Sequence, residues 1–115
     1  MTTLFQLHAN INNLKALIKE LGTLWKPGDS ILLLGETCAY YSWAKAYIDD
    51  INHDDESEYQ IANIKGWYVL SEDINALNDS AKINLDLTGI TALTDADWVQ
   101  LTQDVERVVT LDSTT

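Results

Sequence analysis

The sequence predicts an α/β protein, a three-layer α/β/α sandwich around a mainly parallel sheet of about five strands. Segments with the composition of strands alternate with segments of helical periodicity, which is the order that βαβ units produce. In addition, SILLLG at 30–35 is a continuous apolar run, as expected for a strand covered on both faces. The 115 residues fit one domain, residues 1–115, which is large enough to bury a core without disulfides.

The first half of the chain divides into two strand–helix pairs. In order, these are the strand TLFQLH (3–8), the helix NINNLKALIKELGTLW (10–25), the strand SILLLG (30–35) and the helix CAYYSWAKAYI (38–48). Asn10 or Asn12 is the expected N-cap of the first helix, and the turn KPGD (26–29) ends it. Apolar residues at steps of three and four predict one buried face on this helix: Ile11, Leu14, Leu17, Ile18, Leu21 and Leu24 or Trp25.

The second half continues the alternation. Its predicted elements are the strand GWYVL (66–70), the helix SEDINALN (71–78), the strand GITALT (89–94), the helix DADWVQLTQD (95–104) and the strand VERVVTL (105–111). Ser71 is the expected cap of the helix that it begins, with acidic residues in the first turn. Parallel sheets usually work at the carboxyl ends of their strands. Three turns are expected there: GETC (35–38), SED (71–73) and TDAD (94–97).

The chain is strongly acidic, with 18 acidic and 7 basic residues and a formal net charge of −11. Such a surface repels phosphate backbones and anionic lipids, so we expect no direct binding to nucleic acid and none to a membrane. Six of the acidic residues lie in DDINHDDESE (49–58), within a predicted acidic surface loop at about 49–64. No basic leader precedes an apolar stretch, and no apolar run approaches the roughly 18 residues of a membrane span. With a single cysteine, these features favour the cytoplasm.

The sequence contains no motif that predicts a cofactor or a metal. It has neither a G-x-G-x-x-G nor a Walker sequence. The acidic segment begins with the one-three-five spacing of an EF-hand, but Asp55 stands in place of the required glycine and Ile61 in place of the closing glutamate. One cysteine and two histidines, His8 and His53, are too few for an ordinary zinc site. A Cys–His pair formed in space stays open.

Cys38 is the candidate nucleophile of the chain. Its position near the start of a predicted helix favours a thiolate, because the helix dipole and free amides stabilise negative charge. Glu36 and the acidic surroundings act in the opposite direction, since they raise the pKa of a thiol. The alternative is a small side chain that packs between sheet and helix.

Four aromatic residues on the second helix are candidate interface residues: Tyr40, Tyr41, Trp43 and Tyr47. Tyr40, Trp43 and Tyr47 share one side of the helix at steps of three and four, whereas Tyr41 points elsewhere. The alternative is that these rings pack into the core on both sides of the helix.

Four segments together resemble the DsrH/TusB family, the small subunits of sulfur-relay complexes. They are LFQLHA (4–9), GDSILLLGETCAYY (28–41), YVLSEDINALN (68–78) and DADWVQLTQDVERVVTL (95–111). They match the family's opening Leu-His strand, its Gly-Asp turn before an apolar run, its segment after the third strand and its closing helix and strand. The resemblance covers nearly the whole chain.

The resemblance implies a DsrEFH-like α/β fold and assembly with two related subunits, one DsrE/TusD-like and one DsrF/TusC-like, in a dimer of heterotrimers. Such complexes pass persulfide sulfur along a chain of proteins. In the TusB branch the sulfur is used for 2-thiolation of the tRNA wobble uridine, and in the DsrH branch the complex serves sulfur oxidation. The family typically has an apolar residue where this chain has Cys38, so a sulfur-carrying role does not transfer to that residue.

The sequence therefore predicts a non-catalytic assembly subunit of a sulfurtransferase complex, most directly one for tRNA thiolation. Three alternatives stay open at this point. The chain could carry persulfide on Cys38, it could serve in sulfur oxidation, or it could be a stand-alone homo-oligomer with an unrelated role.

Overall fold

The computed structural model describes residues 2–54 and 60–113. Within them, the strands are β1 (Thr3–Ala9), β2 (Ser30–Leu33), β3 (Gly66–Leu70), β4 (Thr91–Leu93) and β5 (Arg107–Ser113). The α-helices are α1 (Ile11–Leu24), α2 (Tyr41–His53), α3 (Ser71–Ala76), α4 (Asp79–Asn84) and α5 (Asp95–Asp104), and a 3₁₀ helix at Gly35–Tyr40 precedes α2.

The strands form one sheet in the order β4-β3-β2-β1-β5, and each neighbouring pair is parallel. Successive strand residues point to opposite faces, and both faces are covered. Phe5 and Ile31 pack under α1 and α2, whereas Leu4 and Leu32 pack against α5. These helices on both sides confirm the predicted α/β fold class with a sheet of five parallel strands and three layers.

The larger half of the core lies between the sheet and the first two helices. Leu14, Leu17, Ile18 and Leu21 of α1 are buried there, as the helical spacing predicts. Ile11 and Leu24, at the two ends of the same stripe, are 40% and 43% exposed. Trp25 continues the contact instead, with its ring centroid 5.8 Å from that of Phe5 and its indole N–H donating to the Ala62 carbonyl.

The other half of the core contains the buried polar side chain of Gln6. Its amide nitrogen donates to the Thr110 hydroxyl at 2.9 Å, and its amide oxygen accepts a hydrogen bond from the Trp98 indole at 2.8 Å. Burial of an amide is tolerated only when its hydrogen bonds are made. Gln6 therefore joins β1, β5 and α5 through satisfied polar contacts.

Two helix N-termini follow local sequence rules. Asn10 caps α1, since its side chain accepts from the Asn13 N–H at 3.0 Å, and this confirms the first of the two predicted caps. Thr94 and Asp97 form a capping box at the start of α5. The acidic turn before that helix thus has a local structural role.

Three local predictions are wrong. Ser71 does not cap α3, because β3 runs directly into the helix, Leu70 takes the cap position and Ser71 is the first helical residue. The helix predicted at 71–78 ends at Ala76, and Asn78 caps the separate helix α4. Residues 49–53 belong to α2 rather than to a loop, because Ile48 and Ile51 continue its buried face. Residues 55–59 of the predicted acidic loop lie outside the described residues.

Among the described residues, no helix has both the length and the apolar character that crossing a bilayer requires.

Candidate functional site at the carboxyl edge of the sheet

Because all five strands are parallel, their carboxyl ends meet at one edge, and two of the three predicted turns are in contact there. The Gly35 N–H at the end of β2 donates to an Asp73 carboxylate oxygen at 2.8 Å. Asp73 lies in the first turn of α3, directly after β3. This bond fixes the path of the chain out of β2, and Gly35 adopts a φ of +58° that favours glycine.

Thr37 attaches the same 3₁₀ helix to the end of β1. Its side chain is fully buried, and its hydroxyl accepts from the Ala9 N–H at 2.9 Å and donates to the Ala9 carbonyl at 3.0 Å. One hydroxyl thus satisfies both backbone groups of a residue at the end of an inner strand. The 3₁₀ helix is therefore held from β1 by Thr37 and from α3 by Asp73.

His8 and Asp112 stand side by side at this edge. They are directly opposite each other in the register between β1 and β5, and His8 Nδ1 lies 3.6 Å from an Asp112 carboxylate oxygen. Both side chains are accessible, at 37% and 55%. The other ring nitrogen, Nε2, lies against Gly35, where a Cβ atom would come within 2.8 Å of it. The edge thus combines a held imidazole with carboxylates from two neighbouring elements.

Cys38 does not have the position that favours a thiolate. It lies in the middle of the 3₁₀ helix, three residues before α2 begins, and its side chain is fully buried. Burial, followed by the negative charge of Asp73, raises the pKa of the Cys38 thiol from 9.0 to about 11, although the backbone N–H groups of Cys38 and Ala39 act in the opposite direction. Burial and the nearby negative charge therefore disfavour the Cys38 thiolate at neutral pH. Cys38 packs in the core.

The shifted pKa of Cys38 has a measurable consequence for stability. The unfolded chain releases the thiol proton near pH 9.0, whereas the folded chain retains it up to about pH 11. Between these values the unfolded state binds fewer protons, so the free energy of unfolding should fall as the pH rises. We expect urea denaturation to show this decline in the wild type and a smaller decline in Cys38→Ala, which keeps every other titrating group. Equal slopes in the two proteins would contradict the assignment.

The structure separates the four candidate interface residues into two groups. The prediction that Tyr41 is an interface residue is wrong, because its side chain is only 2% exposed. Its ring packs edge-on against Trp67 at a centroid distance of 5.3 Å, and its hydroxyl donates to the Thr88 carbonyl. Tyr41 is therefore a core residue. Trp43 is 39% exposed and stacks on Tyr47 at 5.2 Å with an interplanar angle of 21°.

The two remaining aromatic residues are partly buried. Tyr40 and Tyr47 both pack against the edge of the main core. The Lys15 ammonium of α1 lies 5.7 Å from the Tyr47 ring centroid, a cation–π distance. We call Trp43, Tyr47 and Lys15 the aromatic surface. It lies on the helical layer formed by α1 and α2.

Two features of the described residues bear on metal and cofactor binding. They contain no group of three His, Cys, Asp or Glu side chains placed to hold a metal. A pocket of about 50 Å³ opens at the amino ends of β1 and β5, opposite the candidate site, and is lined by Thr2, Thr3, Lys26, Glu106 and Arg107. Cofactor sites commonly measure roughly 300–1,000 Å³. This pocket is too small for a nucleotide or a flavin.

Sequence reasoning identified the turns at Gly35 and Asp73 but missed Asp112 and Thr37. Asp112 comes one residue after Leu111, the last apolar residue of the final strand. Only the pairing of β5 with β1 brings Asp112 to His8. A comparison with known proteins adds no further residue, since neither a protein-family model nor a curated protein sequence matches the chain.

Proposed function

We propose that the chain is an assembly subunit of a sulfurtransferase complex that relays persulfide sulfur towards 2-thiolation of the tRNA wobble uridine, and that it carries no sulfur itself. The proposal rests on the resemblance of four segments to the DsrH/TusB family. In the structure, these segments include β1, β2, β3 and β5, so the resemblance extends over four of the five strands.

The burial of Cys38 supports the proposal that this chain carries no sulfur. A persulfide carrier needs a thiolate that a donor can reach. The Cys38 side chain has no accessible surface, and its raised pKa keeps it protonated at neutral pH. The sulfur-carrying cysteine would then belong to the DsrE/TusD-like or DsrF/TusC-like partner.

The aromatic surface is the region of the chain that we assign to assembly. Exposed aromatic rings are enriched at protein interfaces, and Trp43 is stacked on Tyr47 without being buried by it. The net charge of −11 agrees with a subunit that leaves the tRNA to another component in the cytoplasm.

A sulfur-loading experiment tests the proposal. The complex purified with this chain is incubated with a cysteine desulfurase and cysteine, and each subunit is then weighed by mass spectrometry. We expect the mass of one added sulfur atom on a partner and none on this chain. A sulfur adduct on Cys38, together with loss of relay in Cys38→Ser, would establish the carrier role instead.

Assembly is tested on the same complex. Trp43→Ala should weaken the binding of the DsrE-like and DsrF-like subunits by about fivefold or more, the effect of losing an interface residue worth over 1 kcal/mol. Val99→Ala is the matched control, because Val99 is 55% exposed on α5, on the other side of the sheet. If the tagged chain purifies as a homo-oligomer without DsrE-like or DsrF-like subunits, the proposal is wrong.

A further inference from the structure

The imidazole of His8 is held on two sides. Asp112 is its register partner on β5, and the carboxylate lies on the Nδ1 side at 3.6 Å. Gly35 lies on the Nε2 side, and a Cβ there would come within 2.8 Å of this nitrogen. The absence of a side chain at Gly35 therefore allows the ring to lie against the backbone at the end of β2.

The Asp112 carboxylate favours one tautomer of a neutral His8 imidazole. A carboxylate only accepts hydrogen bonds, so its charge favours the proton on the nearer nitrogen, Nδ1, and leaves the lone pair on Nε2. At 3.6 Å the contact is an electrostatic attraction rather than a direct hydrogen bond. Such contacts often shorten when a reaction partner is bound.

Carboxylates surround His8 at this edge of the sheet. The carboxylates on the elements that meet here are Asp112 of β5, Glu72 and Asp73 of α3, and Glu36 of the 3₁₀ helix. The same elements also carry Cys38 and Tyr40 in the 3₁₀ helix and Arg107 at the opposite end of β5. Negative charge disfavours the ionisation of a thiol that approaches this edge. If an imidazole accepts the thiol proton, it becomes positively charged. This positive charge offsets the free energy that the carboxylates add to the ionisation of the thiol.

We infer that His8, positioned by Asp112 and Gly35, accepts the proton of a cysteine thiol that a partner subunit brings to the carboxyl edge of the sheet. The inference rests on the proposed function, which supplies that partner. His8 is then the base, although this chain carries no sulfur itself, and Asp112 is the residue that positions His8. The sulfur site would thus be shared between two subunits.

The sulfur-transfer step balances without an oxidant. His8 Nε2 takes the thiol proton, and the resulting thiolate attacks the outer sulfur of a donor persulfide. A new S–S bond forms on the partner cysteine, and the S–S bond of the donor breaks. The departing donor thiolate then takes the proton from the imidazolium. The donor ends as a thiol, and the partner cysteine ends as a persulfide.

The first arm of the test measures the tautomer of His8 on the chain alone. Nitrogen-15 NMR of the neutral imidazoles should show the proton on Nδ1 of His8. His53 is the internal reference, because its Nδ1 lies 2.7 Å from the Asp49 carbonyl, which also requires a proton on Nδ1. Asp112→Asn should shift the tautomer of His8 and leave His53 unchanged. A proton on Nε2 of His8 in the wild type would overturn the inference.

The second arm measures persulfide transfer in the assembled complex. His8→Gln should slow the transfer by about 100-fold. His53→Gln is the control and should match the wild type. If the His8→Gln complex assembles and transfers sulfur normally, the inference is wrong while the proposed function stands. If no complex forms with the wild-type chain, the proposed function fails and the inference fails with it.

Discussion

Replacing Tyr41 with alanine should lower the free energy of unfolding by about 3–5 kcal/mol, the usual cost of removing a buried aromatic ring. The ring lies between α2 and β3, where it contacts Trp67 edge-on at 5.3 Å. Its hydroxyl also reaches the Thr88 carbonyl and so connects α2 to the loop before β4. Alanine would leave a cavity on one side of Trp67 and an unpaired carbonyl in the loop.

Two control variants separate the parts of this effect. Tyr41→Phe keeps the ring and removes only the hydrogen bond, so it should cost about 0.5–1.5 kcal/mol. Trp43→Ala removes a larger ring from the surface of the same helix and should change stability by no more than about 0.5 kcal/mol. Urea denaturation of the four proteins gives the comparison. A Trp43→Ala variant as unstable as Tyr41→Ala would show that the outer face of α2 is buried.

The same helix shows what could be predicted from the sequence. Steps of three and four set Tyr41 apart from Trp43 and Tyr47. In the structure Tyr41 is buried, whereas Trp43 is exposed and stacks on Tyr47. Periodicity does not decide which side faces the sheet when both sides carry aromatic rings. That choice depends on Trp67 of β3, which receives the edge of the Tyr41 ring.

The candidate site was only partly predictable for a related reason. The parallel fold predicted that the turns at Gly35 and Asp73 would lie at the carboxyl edge, and the hydrogen bond between them fits this expectation. The neighbour of β1 was not predictable from local sequence. The chain reaches β5 only after β4 at the opposite edge, so the meeting of His8 and Asp112 is a property of strand order.

Thr37 and Cys38 are adjacent in sequence and show the limit of local rules. The 3₁₀ helix turns both side chains inward, where Thr37 binds the backbone of Ala9 and Cys38 is packed. A helix starting at residue 38 would have placed the thiol at a positive dipole end. The inserted 3₁₀ helix removes this effect, and burial then determines the pKa of Cys38.

Asp29 is the buried carboxylate that fixes the amino ends of the inner strands. It is 1% exposed and accepts the Thr3 N–H at 2.9 Å and the Lys26 N–H at 3.0 Å, one on each oxygen. Its backbone carbonyl also accepts from Lys65 ahead of β3. The Gly-Asp turn therefore serves as a structural junction of β1, β2 and β3.

We expect Asp29→Ala to lower the free energy of unfolding by about 2–3 kcal/mol, because the buried Thr3 N–H loses a charged acceptor. Asp29→Asn keeps one acceptor oxygen, so its free energy of unfolding should fall less than that of Asp29→Ala.

Asp50→Ala is the control for charge. It removes the same charge from the exposed side of α2 and so corrects for the relief of repulsion in a chain of charge −11. Thermal and urea denaturation at neutral pH would measure the three differences. Equal stabilities of Asp29→Ala and Asp50→Ala would mean that the carboxylate at position 29 acts only as surface charge. Neither variant changes the backbone bond from Lys65, so the difference between alanine and asparagine reports on the side chain at position 29: its remaining acceptor oxygen, its amide group and its volume.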